Sequence, residues 1–367
     1  MMASALASDG RLRRPLALRP WTVLLPIVVT CAALAVGLGL IAATGASIPR
    51  TVSAFWIGAF GSSYAISASL NRAVPFALVG LGFILAAKAN LTNVGGEGQI
   101  AVGGILAAAT ALHGAGDLPR GLAVAVPLVA GTLAGALWGG IAGLLKVRRG
   151  TNEVISTLLL SFIAVDLVYW SVGSVNLLRK PQTSASTQPE SLEIPDLTKL
   201  PMLSSDPSSQ LHIGLVIAAI AAIVVAVVLT KSAFGVRLRA IGLNPLAARR
   251  AGISQNLQLL ALALAGGLGG MAGAIMIQGD QYVLKIGFSS NYGFDGVVVG
   301  LLARGSAVGV IAGALFFGFL RSGGMSMEMM ARVPSAIVWI CQGLIVIAIA
   351  GSSAWLDMHR MSAGQRP

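Results

Sequence analysis

The sequence predicts an all-α, polytopic membrane protein of about ten transmembrane helices with an internal inverted repeat. Three observations carry that prediction. Of 367 residues, 56% are hydrophobic and only 10% charged, with a mean hydropathy of +0.83, against about 25% charged in soluble domains. Apolar runs of about twenty residues recur along the chain. Finally, Asn93-Val94-Gly95-Gly96-Glu97-Gly98 and Asn291-Tyr292-Gly293-Phe294-Asp295-Gly296 share the pattern Asn-x-Gly-x-acid-Gly at the start of apolar segments. Weak internal repeats with glycine-interrupted segments are how many transporters build a solute path.

The first run, about 23–44, follows Arg11, Arg13, Arg14 and Arg19. It is longer than the roughly 7–15 residues of a signal-peptide core, which predicts a retained helix with the N-terminus in the cytoplasm. Further runs lie at about 70–89, 95–113, 122–145, 153–172, 211–230, 257–277, 285–303, 306–322 and 333–351. Each approaches the ~20 apolar residues that a helical span requires. The apolar stretch 50–70 is either an interfacial helix or an eleventh crossing. The chain thus divides into a cytoplasmic tail, 1–22, a transmembrane domain, 23–351, and a second cytoplasmic tail, 352–367.

The positive-inside rule agrees with ten crossings. Lys146, Arg148, Arg149, Lys231, Arg237, Arg239, Arg249, Arg250, Arg360 and Arg366 all fall on the inner side of that count. The polar segment 173–210 falls outside, with five prolines and the acids Glu190, Glu193, Asp196 and Asp206; it reads as an external loop or small cap. Gly131, Gly135, Gly139 and Gly143 form a four-spaced ladder after the first motif, and Gly305, Gly309 and Gly313 form another after the second. That spacing puts each ladder on one helix face, suited to close helix contact. An odd number of crossings separates the motifs, so the copies are inverted. Helix rise then sets Asp295 near half depth and Glu97 nearer the inner face.

The net charge of +12 reflects inner loops and anionic lipid, not nucleic acid, because the basic residues are not interleaved with aromatics on one face. Cys31 and Cys341 lie in apolar runs and read as packed thiols. His113, His212 and His359 have no metal-ligand spacing, so neither metal nor cofactor is expected. No G-x-x-x-x-G-K-[ST] loop occurs, so ATP hydrolysis would belong to another subunit. No catalytic set is readable, and an enzyme is not expected. Phe83, Trp138, Tyr169 and Trp170 read as packing or interfacial residues before they read as a stacking surface for a base.

Acidic groups at membrane depth are expensive and usually functional. Asn93, Glu97, Gln99, Asn291 and Asp295 therefore line the transport route or hold its broken helices in shape. A carboxylate that only caps its own helix fits the same pattern. On the inner side, Thr151 or Asn152 caps the helix that follows Arg149, with Glu153 in its first turn. This loop either orients the helix or meets a cytoplasmic partner. Within about 231–256, Asn244-Pro245 opens a short helix that Gly252 ends. With Arg239, Gly242, Leu243, Ala247 and Arg250, it reads as a docking element for another protein more than as a helix lying on lipid. A competing function, proton-coupled transport, would run through Glu97 and Asp295.

In these motifs the chain resembles the inner-membrane permease subunits of ABC importers, in the group of branched-chain amino acid and simple-sugar permeases. The stretch Leu81–Gly104 is similar to that family's first signature, and Arg149-Gly150-Thr151-Asn152-Glu153-Val154-Ile155-Ser156-Thr157 to a second. Gly242-Leu243-Asn244-Pro245 through Ile253 and Tyr292-Gly293-Phe294-Asp295-Gly296 complete the set. The Thr151–Thr157 run looks most like the nucleoside-type branch. The resemblance implies a type II-like core of ten helices in a bacterial inner membrane and import of a small polar solute, a nucleoside first and a simple sugar next. It also implies a cytoplasmic ABC ATPase whose cleft receives the 231–256 segment, a second permease (identical or homologous), and an external binding protein or lipoprotein.

Overall fold

The computed structural model describes residues 21–181, 188–334 and 336–362. The cluster Arg11–Arg19, Arg366 and six residues of the 173–210 segment lie outside them. Thirteen α-helices follow one another among the described residues: α1 (Trp21–Ala43), α2 (Ile48–Phe60), α3 (Ser63–Ala87), α4 (Gly96–Leu112), α5 (Arg120–Arg149), α6 (Glu153–Gly173) and α7 (Gly214–Lys231). Next come α8 (Ala233–Leu243), α9 (Pro245–Arg250), α10 (Asn256–Ile275), α11 (Tyr292–Leu302), α12 (Ala307–Ala331) and α13 (Ala336–Ser362). Pairing between extended segments is confined to isolated bridges.

The ten predicted runs are all helical, but they are not ten equal spans. Helices α3, α5, α6, α7, α10 and α12 are long and apolar enough to cross alone. Helices α1 and α2 qualify only as one pair bent by 117°, and α4, α11 and the apolar part of α13 are shorter. The ambiguous 50–70 stretch is therefore the second limb of a bent pair, packed on α12, followed directly by α3. Helix α3 begins at Ser63, earlier than residue 70, because Ser62 Oγ accepts from Ala65 N at 3.1 Å and caps it there. Helix α12 reaches Ala331 and α13 Ser362, beyond the expected ends near 322 and 351.

The α5 ladder meets α10 backbone to backbone. A Cβ on Gly135 would lie 2.3 Å from Gly266 O, one on Gly139 2.4 Å from Leu262 O, and one on Gly143 2.8 Å from Leu259 Cα. The second ladder does not mirror it. Gly305 lies outside α12 with φ +81°, and Gly309 and Gly313 meet α11 more loosely, near Ala303 and Val299. The α5–α10 contact yields a prediction. At Gly270 a Cβ would stand 2.2 Å from Gly131 O, whereas at Gly140 its nearest neighbour is Ala263 Cβ at 3.7 Å. Gly270→Ala should lower stability by about 1–3 kcal/mol, since backbone overpacking outweighs the ~1 kcal/mol of helix propensity gained. Gly140→Ala should be neutral or stabilising. Thermal unfolding in mild detergent would separate them, and equal melting temperatures would refute the close-packed seam.

Contacts exchange as an inverted repeat demands. Helix α3 packs on α11 and α12 as α10 packs on α4 and α5, while α3 touches α10 and α4 touches α11. The two central helices run oppositely. Helix α3 ends beside the α8–α9 elbow, where a Cβ on Gly242 would lie 2.3 Å from Lys88 O. Helix α10 ends in a π turn, Met276–Gln281, at the opposite end of the bundle. There the 188–213 segment is bonded down as a cap: Leu200 N donates to Gln278 O, Ile194 N to Tyr282 O and Ser191 N to Leu284 O. Lys199 pairs with Glu193 at 2.6 Å and Asp196 at 2.7 Å, and the Lys199 hydrogen bond holds the Asp196 carboxyl below its usual range.

Candidate functional site

Glycine decides where the two repeats meet. After α3 the chain turns through Asn90, φ 57°, and doubles back, so α4 starts inside the bundle. After the π turn of α10, residues 282–291 double back through Ser290 and Asn291, φ 44° and 64°, so α11 starts inside as well. The two N-termini touch. A Cβ on Gly293 would lie 2.0 Å from Glu97 N, and one on Gly96 2.9 Å from Gly293 O, so only glycine fits at both. Glu97 and Asp295 therefore belong to helices that begin at one level. The expected offset in depth fails because α4 starts at this internal junction and not at the edge of the bundle.

Glu97 does not cap its own helix. Its Oε1 accepts from Asn291 N at 3.1 Å and its Oε2 from Gly293 N at 2.8 Å. Both donors belong to the start of α11. A buried carboxylate thus satisfies orphan amides and faces the positive end of the opposite helix dipole. Asn93 and Gln99 lock the α4 side: each amide donates to the other's carbonyl at 3.1 Å, and Asn93 Oδ1 also accepts from Gly95 N at 3.0 Å. Asn93, Glu97 and Gln99 are at most 4% exposed. Helix α6 completes the shell, with Thr157 Oγ1 accepting from Val94 N at 3.2 Å and Ser161 Oγ from Gly98 N at 3.3 Å.

Asp295 plays no matching part. Its Oδ2 lies 3.9 Å from Arg321 Nη1. Arg321 Nη2 donates to Ser290 O at 2.8 Å, and its guanidinium stands 5.1 Å from the ring centres of both Tyr292 and Trp339. Asn291 contributes its left-handed backbone and no side-chain cap.

Next to the junction a cavity of about 360 Å³ is walled by Arg72, Asp280, Gln281, Lys285, Phe288, Ser290, Tyr292 and Arg321, with Gln210 of the cap at its rim. Three cations thus face one carboxylate. His212 lies beside that carboxylate, with Nε2 3.6 Å from Asp280 Oδ1. Its Nδ1 accepts from Gly214 N at 3.1 Å, so a neutral ring carries its hydrogen on Nε2, toward Asp280. Arg72, Asp280, Tyr292 and Arg321 come from α3, the π turn at the end of α10, α11 and α12, so no local motif marks them as a set. The available local signal is Asp280 itself, a carboxylate at the end of a glycine-rich apolar run. Four other aromatics lie away from this cavity: Phe83 is in the core, Trp138 Nε1 donates to Leu160 O at 3.2 Å, and Tyr169 and Trp170 face outward.

At the far end, α8 and α9 form an elbow. Asn244 Oδ1 accepts from Leu246 N and Ala247 N, both at 3.0 Å, and Gly252 at φ +79° stops α9. Leu243, Asn244, Pro245, Leu246, Ala247, Arg250 and Gly252 are exposed. Arg239 instead turns inward to donate to Leu229 O, and Gly242 seats the elbow on the Lys88 carbonyl. In the loop between α5 and α6 Gly150 is left-handed, Asn152 Oδ1 caps Val154 N at 2.9 Å, and Glu153 pairs with Lys146 at 2.7 Å. Thr151 makes no side-chain cap, and Arg149 is exposed.

A family profile described as branched-chain amino acid transport system / permease component matches residues 65–350. The chain is 32% identical over 334 residues to the guanosine ABC transporter permease protein NupP of Bacillus subtilis, covering 90% of this chain and 94% of that one. It is 33% identical to a glucose ABC transporter permease protein of Haloferax volcanii, over 89% of this chain and 87% of that one. It is 32% identical to the nucleoside ABC transporter permease protein NupB of Lactococcus lactis, over 89% and 90% respectively. No solved structure matches.

Proposed function

The chain belongs to the family of branched-chain amino acid transport system permease components and is a multi-pass permease subunit of an ABC importer; within that role, we propose that it carries a nucleoside. Relatives named for guanosine and nucleoside transport match over 94% and 90% of their own length, and the run Thr151–Thr157 of this chain resembles the nucleoside-type branch. The cavity beside the junction suits such a solute, with Phe288 and Tyr292 as ring surfaces and Asp280 as an acceptor for paired hydroxyls. The chain lies in a bacterial inner membrane with both termini in the cytoplasm. It works with a cytoplasmic ABC ATPase, a second permease and an external binding protein or lipoprotein.

One observation carries the mechanism. Two half-helices of opposite direction begin at a single point, joined by Glu97 across the repeat. Glu97, Asn93 and Gln99 serve as the joint of the broken helices, with Asn291 and Asp295 at its edge. Movement at the α8–α9 end reaches this joint through the Gly242–Lys88 contact at the foot of α3. The exposed face Leu243–Ala247 is the ATPase seat, while Arg239 and Gly242 hold the elbow's shape. The loop Arg149–Glu153 orients α6.

Uptake of labelled guanosine and glucose into proteoliposomes holding the whole importer would test this reading. ATP-dependent guanosine uptake that excess glucose does not suppress is the expected result. Uptake driven by a proton gradient without ATP would overturn it. Leu243 and Leu246 are 88% and 62% exposed, so Leu243→Asp with Leu246→Asp should leave the fold intact. Uptake should nonetheless fall at least about tenfold, through lost ATPase docking. Unchanged uptake would remove the elbow from the coupling path.

A further inference from the structure

His212 closes the cap of the 188–213 segment and is fully buried. Its backbone N–H donates to Asn71 Oδ1 at 3.4 Å, and Asn71 Nδ2 donates to Gln210 O at 2.6 Å, so α3 grips the chain on both sides of Leu211. The ring fills a slot between two glycines. A Cβ on Gly214 would stand 2.6 Å from its Nδ1, and one on Gly279 2.6 Å from its Nε2, so a side chain at either position would displace the imidazole. Gly214 N occupies Nδ1, and Nε2 therefore carries a hydrogen whether the ring is neutral or charged. Among the described residues Nε2 donates no hydrogen bond, although a buried N–H left unpaired is unfavourable. Its one charged partner within 4.0 Å there is Asp280, with Oδ1 at 3.6 Å.

Asp280 has the complementary deficit. Its carboxylate accepts no hydrogen bond among the described residues, and its side chain, 34% exposed, forms part of the cavity wall. Arg72, Lys285 and Arg321 wall the same cavity, yet none of them pairs with Asp280. Arg72 Nη1 donates to Ser322 Oγ at 2.7 Å, and Arg321 Nη2 to Ser290 O. A carboxylate that stands among cations, pairs with none and faces a buried N–H has its acceptor sites left for a solute.

We propose that His212 is a positioning residue: its Nε2–H holds one oxygen of Asp280, so that the carboxylate presents its remaining lone pairs to the 2′- and 3′-hydroxyls of a ribonucleoside. The inference rests on the nucleoside reading above and adds a selectivity to it, ribose over 2′-deoxyribose. An ionised carboxylate has about four acceptor sites. One taken by His212 leaves enough for two hydroxyls and fixes the plane of the group. Without that anchor the carboxylate swings toward the neighbouring cations and pairs with them. A solute without the 2′-hydroxyl leaves an acceptor of the cavity unmatched, and sites built to bond a hydroxyl reject such analogues strongly.

The test compares guanosine with 2′-deoxyguanosine in proteoliposomes holding the whole importer, each solute saturating the external binding protein. At saturation that protein's affinity no longer sorts the two, and the ratio of maximal rates reports the permease cavity. A wild-type ratio of at least about tenfold in favour of guanosine is expected. His212→Phe keeps a ring and removes the N–H, and the ratio should fall to about twofold or less. His212→Gln returns an N–H donor near the place of Nε2 and should restore at least about half of the ratio. A merely structural role for His212 would lower both rates alike and leave the ratio where it was, which overturns the proposal. Equal maximal rates in the wild-type importer overturn it whatever the variants do. Should His212→Phe fail to assemble, Asp280→Asn carries the same test: the ratio should again fall to about twofold or less, and an unchanged ratio overturns the proposal. A wild-type importer that assembles with its ATPase and takes up neither solute overturns the nucleoside reading itself.

Discussion

Glu97→Ala should destabilise the protein by about 3–6 kcal/mol and abolish uptake. Two amides, Asn291 N and Gly293 N, depend on its carboxylate. Hydrogen bonds to a charged acceptor contribute about 1.5–3 kcal/mol each, and a buried donor left unpaired carries its full desolvation penalty. The start of α11 also loses the negative charge that complements its dipole. Glu97→Gln keeps one acceptor oxygen but places an NH₂ group against a backbone N–H, so about half the loss should remain. Thermal unfolding of detergent-purified protein would rank the series as wild type above Gln above Ala. A Gln variant with wild-type stability and no transport would point instead to a proton-carrying role. Wild-type stability in both variants would show that Glu97 is not the joint.

Gly293→Ala should do more damage. Its Cβ would stand 2.0 Å from Glu97 N, 2.3 Å from Glu97 Cα and 2.4 Å from Gly96 C. All three neighbours are backbone, so no rotamer change relieves the overlap. Helices α4 and α11 would have to separate by an ångström or more, by roughly the gap to ordinary van der Waals contact, which breaks both Glu97 bonds. A loss above about 4 kcal/mol is expected, in the range reserved for disrupted cores, and little folded protein should reach the membrane. Gly121→Ala and Gly343→Ala meet nothing within 4 Å and should leave stability unchanged or raise it by up to about 1 kcal/mol. A folded, active Gly293→Ala protein would contradict the junction outright.

Much of the architecture was legible from residue order alone. Hydropathy located every apolar helix, and the Asn-x-Gly-x-acid-Gly pair announced the repeat. Asn244, Pro245 and Gly252 bounded α9 as their backbone chemistry requires. Errors arose where local signals run out. The edge of α3 moved to Ser63 because a cap outranked hydropathy, and the depth of Glu97 was misread because a re-entrant start looks like an ordinary span. Gly305 shares the spacing of its ladder but is a turn residue, which periodicity cannot distinguish.

The sequence by itself determined the class of molecule, its repeat and the short capped helix of its elbow, because burial in lipid, helix capping and glycine's freedom act through near neighbours in the chain. Only the tertiary structure decided which groups face one another. Glu97 serves the helix that begins at Tyr292, Arg72 and Arg321 share a cavity with Asp280, and Asp166 looks outward while Ser161 looks in. Those choices depend on the rotation of each helix about its axis. Along spans as uniformly apolar as these, with lipid and protein interior alike hydrophobic, rotation leaves little trace in the pattern of residues and is set by packing against the other helices.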